Sequence, residues 1–309
     1  MEFHILSFEG PDPYCRAGGI ATRISGLATA LADGGFDSHL WFVGDPALPG
    51  HEQHGRLHLH RWCQWISRFH PHGVYDGEDG KRGDFASSLP PYLLEHLRRS
   101  LAADGAKAVV LAEEWHTVDA VLHLDWLLRE SGLRHRVGIF WTANNVFGFD
   151  RVDWKRLEQA AVITTVSRYM KQRMWALGVD PVVIPNGLDA SAFVPVPKEA
   201  VRQVGEDLPG RTLLTKVARW DPDKRWLMAV DIVHAMKQRG LAPLLVARGG
   251  MEAHGREVLG KARELGLSVA HRPLHPSADS AEAVVRTLAD VNGHDIIVLE
   301  SHLDTKAKG

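Results

Sequence analysis

Cysteine is almost missing: Cys15 and Cys63 are the two in 309 residues, and no CxxC pair occurs. That excludes a disulfide framework and a cysteine-based zinc site, and it predicts a reducing compartment, the cytoplasm. Charge of one sign is missing too. Lys and Arg number 36 against 38 Asp and Glu, a formal net charge of −2, so no basic footprint for nucleic acid or an anionic membrane is present. No uninterrupted apolar run approaches the roughly 18–20 residues of a membrane-spanning helix. The start, Met1-Glu2-Phe3-His4-Ile5-Leu6, carries an acid and no basic n-region, so it does not read as a signal peptide. What remains is ordinary for a globular chain, 45% apolar and 24% charged, and long enough for two domains that each bury a core.

Strand and helix signals alternate. Phe3 to Phe8 reads as a strand and residues 9–18 as a Pro- and Gly-rich loop. Ile20, Ile24, Leu27 and Leu31 mark one face of a helix, which Gly34-Gly35 stops. His39 to Val43 is the next strand, and residues 50–91 predict loops and short elements, with the apolar stretch Leu57 to Trp62 readable as a strand. Tyr92 to Ala103 reads as helix, Ala108 to Ala112 as strand, His116 to Arg129 as helix, Val137 to Trp141 as strand and Asp153 to Ala160 as helix. Val162 to Val166 is a β-branched strand, Ser167 caps a helix to about Leu177, and Val182 to Ile184 is a strand. The pattern predicts an α/β fold with a parallel sheet covered on both faces.

The first domain is expected at residues 1–192 and a linker at 193–210, where Pro195, Pro197 and Pro209 sit among mixed charges. A second series fills 211–309: strands at Thr212 to Ala218, Pro243 to Ala247 and Asp295 to Leu299, helices at Asp223 to Arg239, Glu252 to Leu265 and Ala278 to Leu288. Three strands are few for an open sheet of roughly 4–6. The second domain is therefore expected to be incomplete, with exposed apolar surface and low stability.

Ligands of such sheets bind at the carboxyl ends of the strands. Gly18-Gly19 follows the first strand. Two glycines let a ligand approach the backbone, and the next helix offers N–H groups to an anion, although a tight turn alone explains the pair equally and the spacing is not GxGxxG. Arg219-Trp220-Asp221-Pro222-Asp223-Lys224-Arg225 follows another strand. With Asp221 as N-cap and Pro222 as first helical residue, Lys224 and Arg225 fall in the first helical turn. Cations there cost about 0.3–1 kcal/mol each. Together with Arg219 they read as a trap for a phosphate, the alternative being a solvated turn neutralised by Asp221 and Asp223. Ile184-Pro185-Asn186-Gly187-Leu188-Asp189 reads by itself as a turn, with Asp189 capping a short helix. Glu113-Glu114-Trp115-His116 suits general acid/base work or simple helix capping. Asn144 and Asn145, after the next strand, suit sugar hydroxyls. His51, His54, His58, His60, His70 and His72 cluster in sequence among scattered carboxylates and without HExxH, so they read as surface or loop residues and no metal site is expected. Trp41, Trp62, Trp65 and Trp141 read as core.

Four segments in order resemble the retaining glycosyltransferases of family 4, of the GT-B fold and the glycogen-synthase-like group. They are Gly18-Gly19 with its helix, Ile163-Thr164-Thr165-Val166-Ser167 ("TVS"), Val183 to Asp189 with Phe193 ("IPNGxDxxxF"), and Val217-Ala218-Arg219 to Lys224 ("GRxxxxK"). The resemblance implies two Rossmann-like domains facing a cleft, the second incomplete here, and a sugar moved from a nucleotide-sugar donor to a carbohydrate or small-molecule acceptor with retained configuration. It implies that Arg219 and Lys224 hold the donor diphosphate as the catalytic electrostatic groups. Gly18, Gly19 and Asn186 would help bind the donor. Glu113, Glu114, His116, Asn144 and Asn145 would line the acceptor side. No cofactor or metal is implied. Departures are Glu113 where relatives carry His, Asn144-Asn145 where they carry "HN", Ala218 where they carry Gly, and no E-x7-E pair. The last predicts a missing C-terminal segment or a partner chain. It keeps open a second reading, an inactive or partner-dependent sugar-nucleotide or carbohydrate-binding fragment, and a weaker third, a nucleotide-sugar epimerase.

Overall fold

The computed structural model describes residues 1–188, 193–249, 252–273, 288 and 291–300. The chain divides into two compact units, Met1–Ala192 and Phe193–Gly309.

The first unit is built on one sheet. Its strands are β1 (Glu2–Leu6), β2 (Asp37–Val43), β3 (His51–His54), β4 (Leu57–Trp62), β5 (Ala108–Glu113), β6 (Val137–Ala143), β7 (Val162–Thr165) and β8 (Val182–Val183). Their order is β3-β4-β2-β1-β5-β6-β7-β8. All pairs are parallel except β3 with β4. The chain leaves β1 for β2 on one side and reaches β5 on the other. The carboxyl ends of β1 and β5 therefore flank the point where strand order reverses, the ligand-binding crevice of open α/β sheets. Trp41, Phe42 and Trp141 are fully buried in this sheet's core, as expected. Trp65 is not: it is 62% exposed, its indole N–H donating to Asp84.

The helices of this unit are α1 (Gly19–Asp33), α2 (Gln64–Ser67), α3 (Glu78–Ser100), α4 (Val118–Glu130), α5 (Trp154–Ala160) and α6 (Arg168–Trp175). In α1 the residues Ala21, Ile24 and Ala28 are buried, the spacing of one helical face. Ser167 caps α6 through its hydroxyl, which accepts the Met170 N–H at 3.1 Å.

Within residues 50–91, expected to hold loops and short elements, Leu57 to Trp62 is the strand β4, as its apolar stretch suggested. It pairs with β3 as a hairpin, and the correction is α3, which starts at Glu78, well before Tyr92. The cause of the misreading is Pro90-Pro91, which lies inside the helix. Each proline removes an intrahelical donor. The carbonyl that Pro90 leaves without its partner, that of Ala86, is met at 2.9 Å by His123 Nδ1 from α4. At the start of α3, fully buried Lys81 donates to Tyr14 Oη and to the carbonyls of Gly73, Val74 and Asp76, at 2.6–3.2 Å. The ammonium thereby satisfies a tight loop whose carbonyls would otherwise lack donors.

In the second unit, residues 193–210 are not an extended linker throughout, because α7 (Lys198–Asp207) lies among them. The sheet has four parallel strands, β9 (Thr212–Val217), β10 (Pro243–Arg248), β11 (Val269–Pro273) and β12 (Ile296–Glu300), in the order β11-β12-β10-β9. Sequence patterning missed β11, whose Val-Ala-His-Arg-Pro run has neither alternation nor an apolar block. Helices α8 (Trp226–Gln238) and α9 (His254–Glu264) pack with it around Trp220, Trp226, Val230, Val233, Leu245 and Val258. Asp189, nearly all of the helix expected at Ala278 to Leu288, and the tail from Ser301 lie outside the described residues.

Candidate active site

The sequence-predicted residues of the first unit converge at the carboxyl edge of its sheet. Glu113 ends β5 and is 1% exposed. Its Oε1 accepts from Arg23 Nη1 at 3.1 Å and its Oε2 from the Asn144 amide at 2.8 Å. Arg23, one turn into α1, also donates through Nε to Asn186 Oδ1 at 2.8 Å. Glu113, Asn144 and Asn186, three residues singled out in sequence, are thus joined through a fourth that was not. Arg23 gives no sequence signal beyond a polar position in an amphipathic helix.

Glu114 is a rare non-glycine residue with positive φ (65°), a conformation uncommon outside functional or tightly held sites. Its backbone N–H donates to the Thr142 carbonyl at 3.0 Å. Its Oε1 accepts the Asn144 N–H at 2.7 Å, and its carbonyl accepts from the Trp141 indole at 3.0 Å and the Thr117 hydroxyl at 2.9 Å. Burial pushes the Glu113 carboxyl up to about 7, against the opposing pull of Arg23. Burial pushes Glu114 up to about 8, against hydrogen bonds from Asn144. His116 stacks on Phe8 at 4.6 Å and meets Glu78 Oε1 through Nε2 at 2.5 Å. Burial holds this imidazole below its usual range. Asn145 turns back on its own loop, accepting the Phe147 N–H.

Gly18 and Gly19 begin α1, and the helix N-terminus has an internal anion. The buried Glu9 carboxylate accepts from Gly18 N at 3.0 Å and Ala21 N at 3.1 Å, while its other oxygen accepts from Tyr75 Oη at 2.7 Å. A carboxylate at this end satisfies free N–H groups and the dipole together. Glu9 was not singled out in sequence, because a lone acid in a loop carries no spacing signal.

In the second unit, Arg219 and Lys224 are exposed in the loop after β9. The expected helix register is corrected. Asp221 caps only a single turn, Pro222–Lys224, by accepting the Asp223 N–H at 3.1 Å. Arg225 is left-handed (φ 53°) and α8 starts at Trp226. Lys224 and Arg225 therefore precede α8 and do not stand in its first turn. The long helix begins late because the Trp226 ring is buried against Trp220, 4.2 Å between centroids, with its N–H on the Arg219 carbonyl at 2.7 Å. Lys224 pairs with its neighbour Asp223 at 2.9 Å.

The histidines depart from expectation. His4, His39 and His58 stand opposite one another on β1, β2 and β4. Their rings stack at 4.4–4.8 Å, with His96 of α3 edge-on and His60 on Trp41 at 3.7 Å. Ligand atoms of His4, His39 and His96 lie within 4.8 Å of one another. The Trp41 indole donates to His4 Nδ1 at 3.2 Å. The proton of a neutral His4 is therefore on Nε2, which faces Glu2 Oε1 at 3.2 Å. That arrangement is a stack of imidazoles under α3, with the Glu2 carboxylate beside His4 and, at 3.6 Å, His96.

The fold of this chain is that of GT-B glycosyltransferases. The catalytic domain of starch synthase IV from Arabidopsis thaliana, solved with ADP and acarbose, superposes with a TM-score of 0.63 at 13% identity, over 96% of this chain and 73% of that one. An α,α-trehalose-phosphate synthase (UDP-forming) from Burkholderia xenovorans, in complex with glucose-6-phosphate, gives 0.53 at 13%, over 98% and 75%. A glycosyltransferase from Rickettsia africae gives 0.53 at 12%, over 98% and 69%. No curated protein matches the sequence. The family model "Glycosyltransferase Family 4" matches residues 17–192, more than half of the chain. The chain belongs to that family, and its class of activity is glycosyl transfer. Among the described residues no helix is long and apolar enough to cross a membrane.

Proposed function

We propose that the protein moves a sugar from a nucleotide-sugar donor to a hydroxyl of a carbohydrate or small-molecule acceptor, with retention of anomeric configuration, in the cytoplasm. The observation that carries this is the gathering of Glu113, Asn144 and Asn186 around Arg23 at the carboxyl edge of the first unit's sheet, within the segment that matches the family. In this reading Arg219 and Lys224 take the donor diphosphate and stabilise the charge that grows on the leaving group. Lys224 would exchange Asp223, an exposed partner whose loss costs little, for the phosphate. Gly18, Gly19 and Asn186 contribute to donor binding, and Glu113, Glu114, His116, Asn144 and Asn145 order the acceptor. The donor is a substrate, and the reaction calls for no resident cofactor.

The test is calorimetric titration with UDP-, ADP- and GDP-sugars. One of them is expected to bind, and Arg219→Ala and Lys224→Ala are each expected to weaken it by about tenfold or more, the scale of a lost charge-assisted contact. Tight binding indifferent to both substitutions would overturn the phosphate assignment. A second reading is a nucleotide-sugar- or carbohydrate-binding protein that needs a partner chain for turnover. Product formed by the 309-residue chain alone would exclude it.

A further inference from the structure

We infer that Arg23 is a substrate-binding residue that receives an anionic oxygen group, a phosphate or a carboxylate, at the carboxyl edge of the first unit. The inference rests on reading that edge as a substrate face. Its support is geometric. A guanidinium paired for structure alone commonly meets a carboxylate with two parallel N–H bonds. Here the Glu113 carboxylate is turned: one oxygen takes Arg23 Nη1 and the other takes the Asn144 amide. Arg23 Nε is spent sideways on Asn186. The head group is thus held at two points, with a side chain 12% exposed. Among the described residues, Nη2 has no hydrogen-bond partner.

Two backbone donors at the start of α1 are committed elsewhere. Gly18 N and Ala21 N are on Glu9. An anion arriving beside α1 therefore finds in Arg23 a fixed cation whose orientation is already set, so little ordering is required on binding. Such an anion comes from one of two sources, the diphosphate of the donor or an acidic group on the acceptor.

The experiment is calorimetric titration of the full chain with ADP, UDP and GDP, with inorganic phosphate, and with glucose 6-phosphate against glucose. Wild type, Arg23→Gln, Arg23→Lys and the double variant Arg23→Gln/Glu113→Gln are compared. The double variant matters because Arg23→Gln alone leaves a buried carboxylate without its cation. Removing both charges keeps the fold and still deletes the anion ligand. The expected result is a loss of about tenfold or more in both Gln variants for either the nucleoside diphosphates or the phosphate and sugar phosphate. Glucose binding should not change, and Arg23→Lys should retain part of the affinity. Loss confined to the diphosphates assigns the donor as source, and loss confined to the phosphates assigns the acceptor. The inference falls if the folded double variant binds every anion as wild type does, or if wild type binds none of them. Lys224→Ala separates this from the donor reading. Diphosphate binding that depends on Lys224 and not on Arg23 leaves the donor reading standing without this one. Phosphate binding that depends on Arg23 in a chain indifferent to nucleoside diphosphates does the reverse.

Discussion

Acidification from pH 7.5 to pH 5 is expected to strip stability from the first unit through its stacked imidazoles. Burial, reinforced by neighbouring imidazoles, pushes His39 down to about 2 and His60 down to about 3, from the ordinary 6.5. His4 moves the same way. Below 6.5 the unfolded chain takes up protons that the native stack refuses, so the stack's contribution to stability is full above that pH and falls progressively below it. At pH 5, 1.5 units under the ordinary value, each imidazole held neutral costs about 2 kcal/mol at ~1.36 kcal/mol per unit. His39 and His60 touch through Nδ1 and Nε2 at 3.0 Å, so about 4 kcal/mol for the two is an upper bound, set against a typical total of roughly 5–15 kcal/mol. Glu2 does not blur this window, because its hydrogen bonds to His4 and His96 outweigh burial and keep it ionised well below the usual carboxylate range. The assay is urea unfolding at pH 7.5, 6 and 5, read by indole fluorescence, with a His39→Gln/His60→Gln variant alongside. Glu113 and Glu114, raised to about 7 and about 8, gain stability over the same range but do so in both chains, so the wild-type midpoint should fall on acidification relative to that of the variant. Identical pH responses in the two chains would refute the reasoning.

Two further outcomes are expected. Lys81→Met should cost about 2–4 kcal/mol, because the oxygens of Tyr14, Gly73, Val74 and Asp76 lose a buried donor together. A thermal melt measures the loss, and protease cleavage near residues 73–77 should rise with it. Anion affinity at Arg23 should increase as pH falls from about 8 to about 6. Glu113, raised to about 7, faces Arg23, Asn144 and raised Glu114; once protonated it no longer offsets the guanidinium. Calorimetry in two buffers of different ionisation enthalpy should show proton uptake on binding, and Glu113→Gln should abolish it.

The alternating α/β layout and the carboxyl-edge placement of Glu113 and Asn144 were legible because strand periodicity and loop position are local properties of a sequence, whereas Asn186 read by itself as a turn and stood out only through the family resemblance. What escaped needed partners from far along the chain. Arg23 acquires meaning only from residues 90 and 163 positions away. The histidine stack is a matter of strand register: residues 4, 39 and 58 share a row only after β1, β2 and β4 align. At residues 221–226 the local rules misled. Asp-Pro is a good helix start, but a buried tryptophan pair moved the start of the long helix to Trp226. Tertiary packing outweighed a capping preference of about 1 kcal/mol.

The diproline in α3 has one more implication. A peptide of residues 78–100 alone would have two carbonyls without their usual intrahelical donors, and no neighbour to supply one. With His123 docked, one of those vacancies is filled from outside. Helicity there is borrowed from α4. Excising or swapping this segment would therefore transplant a sequence without its shape, whereas moving both helices as a block should carry the conformation along.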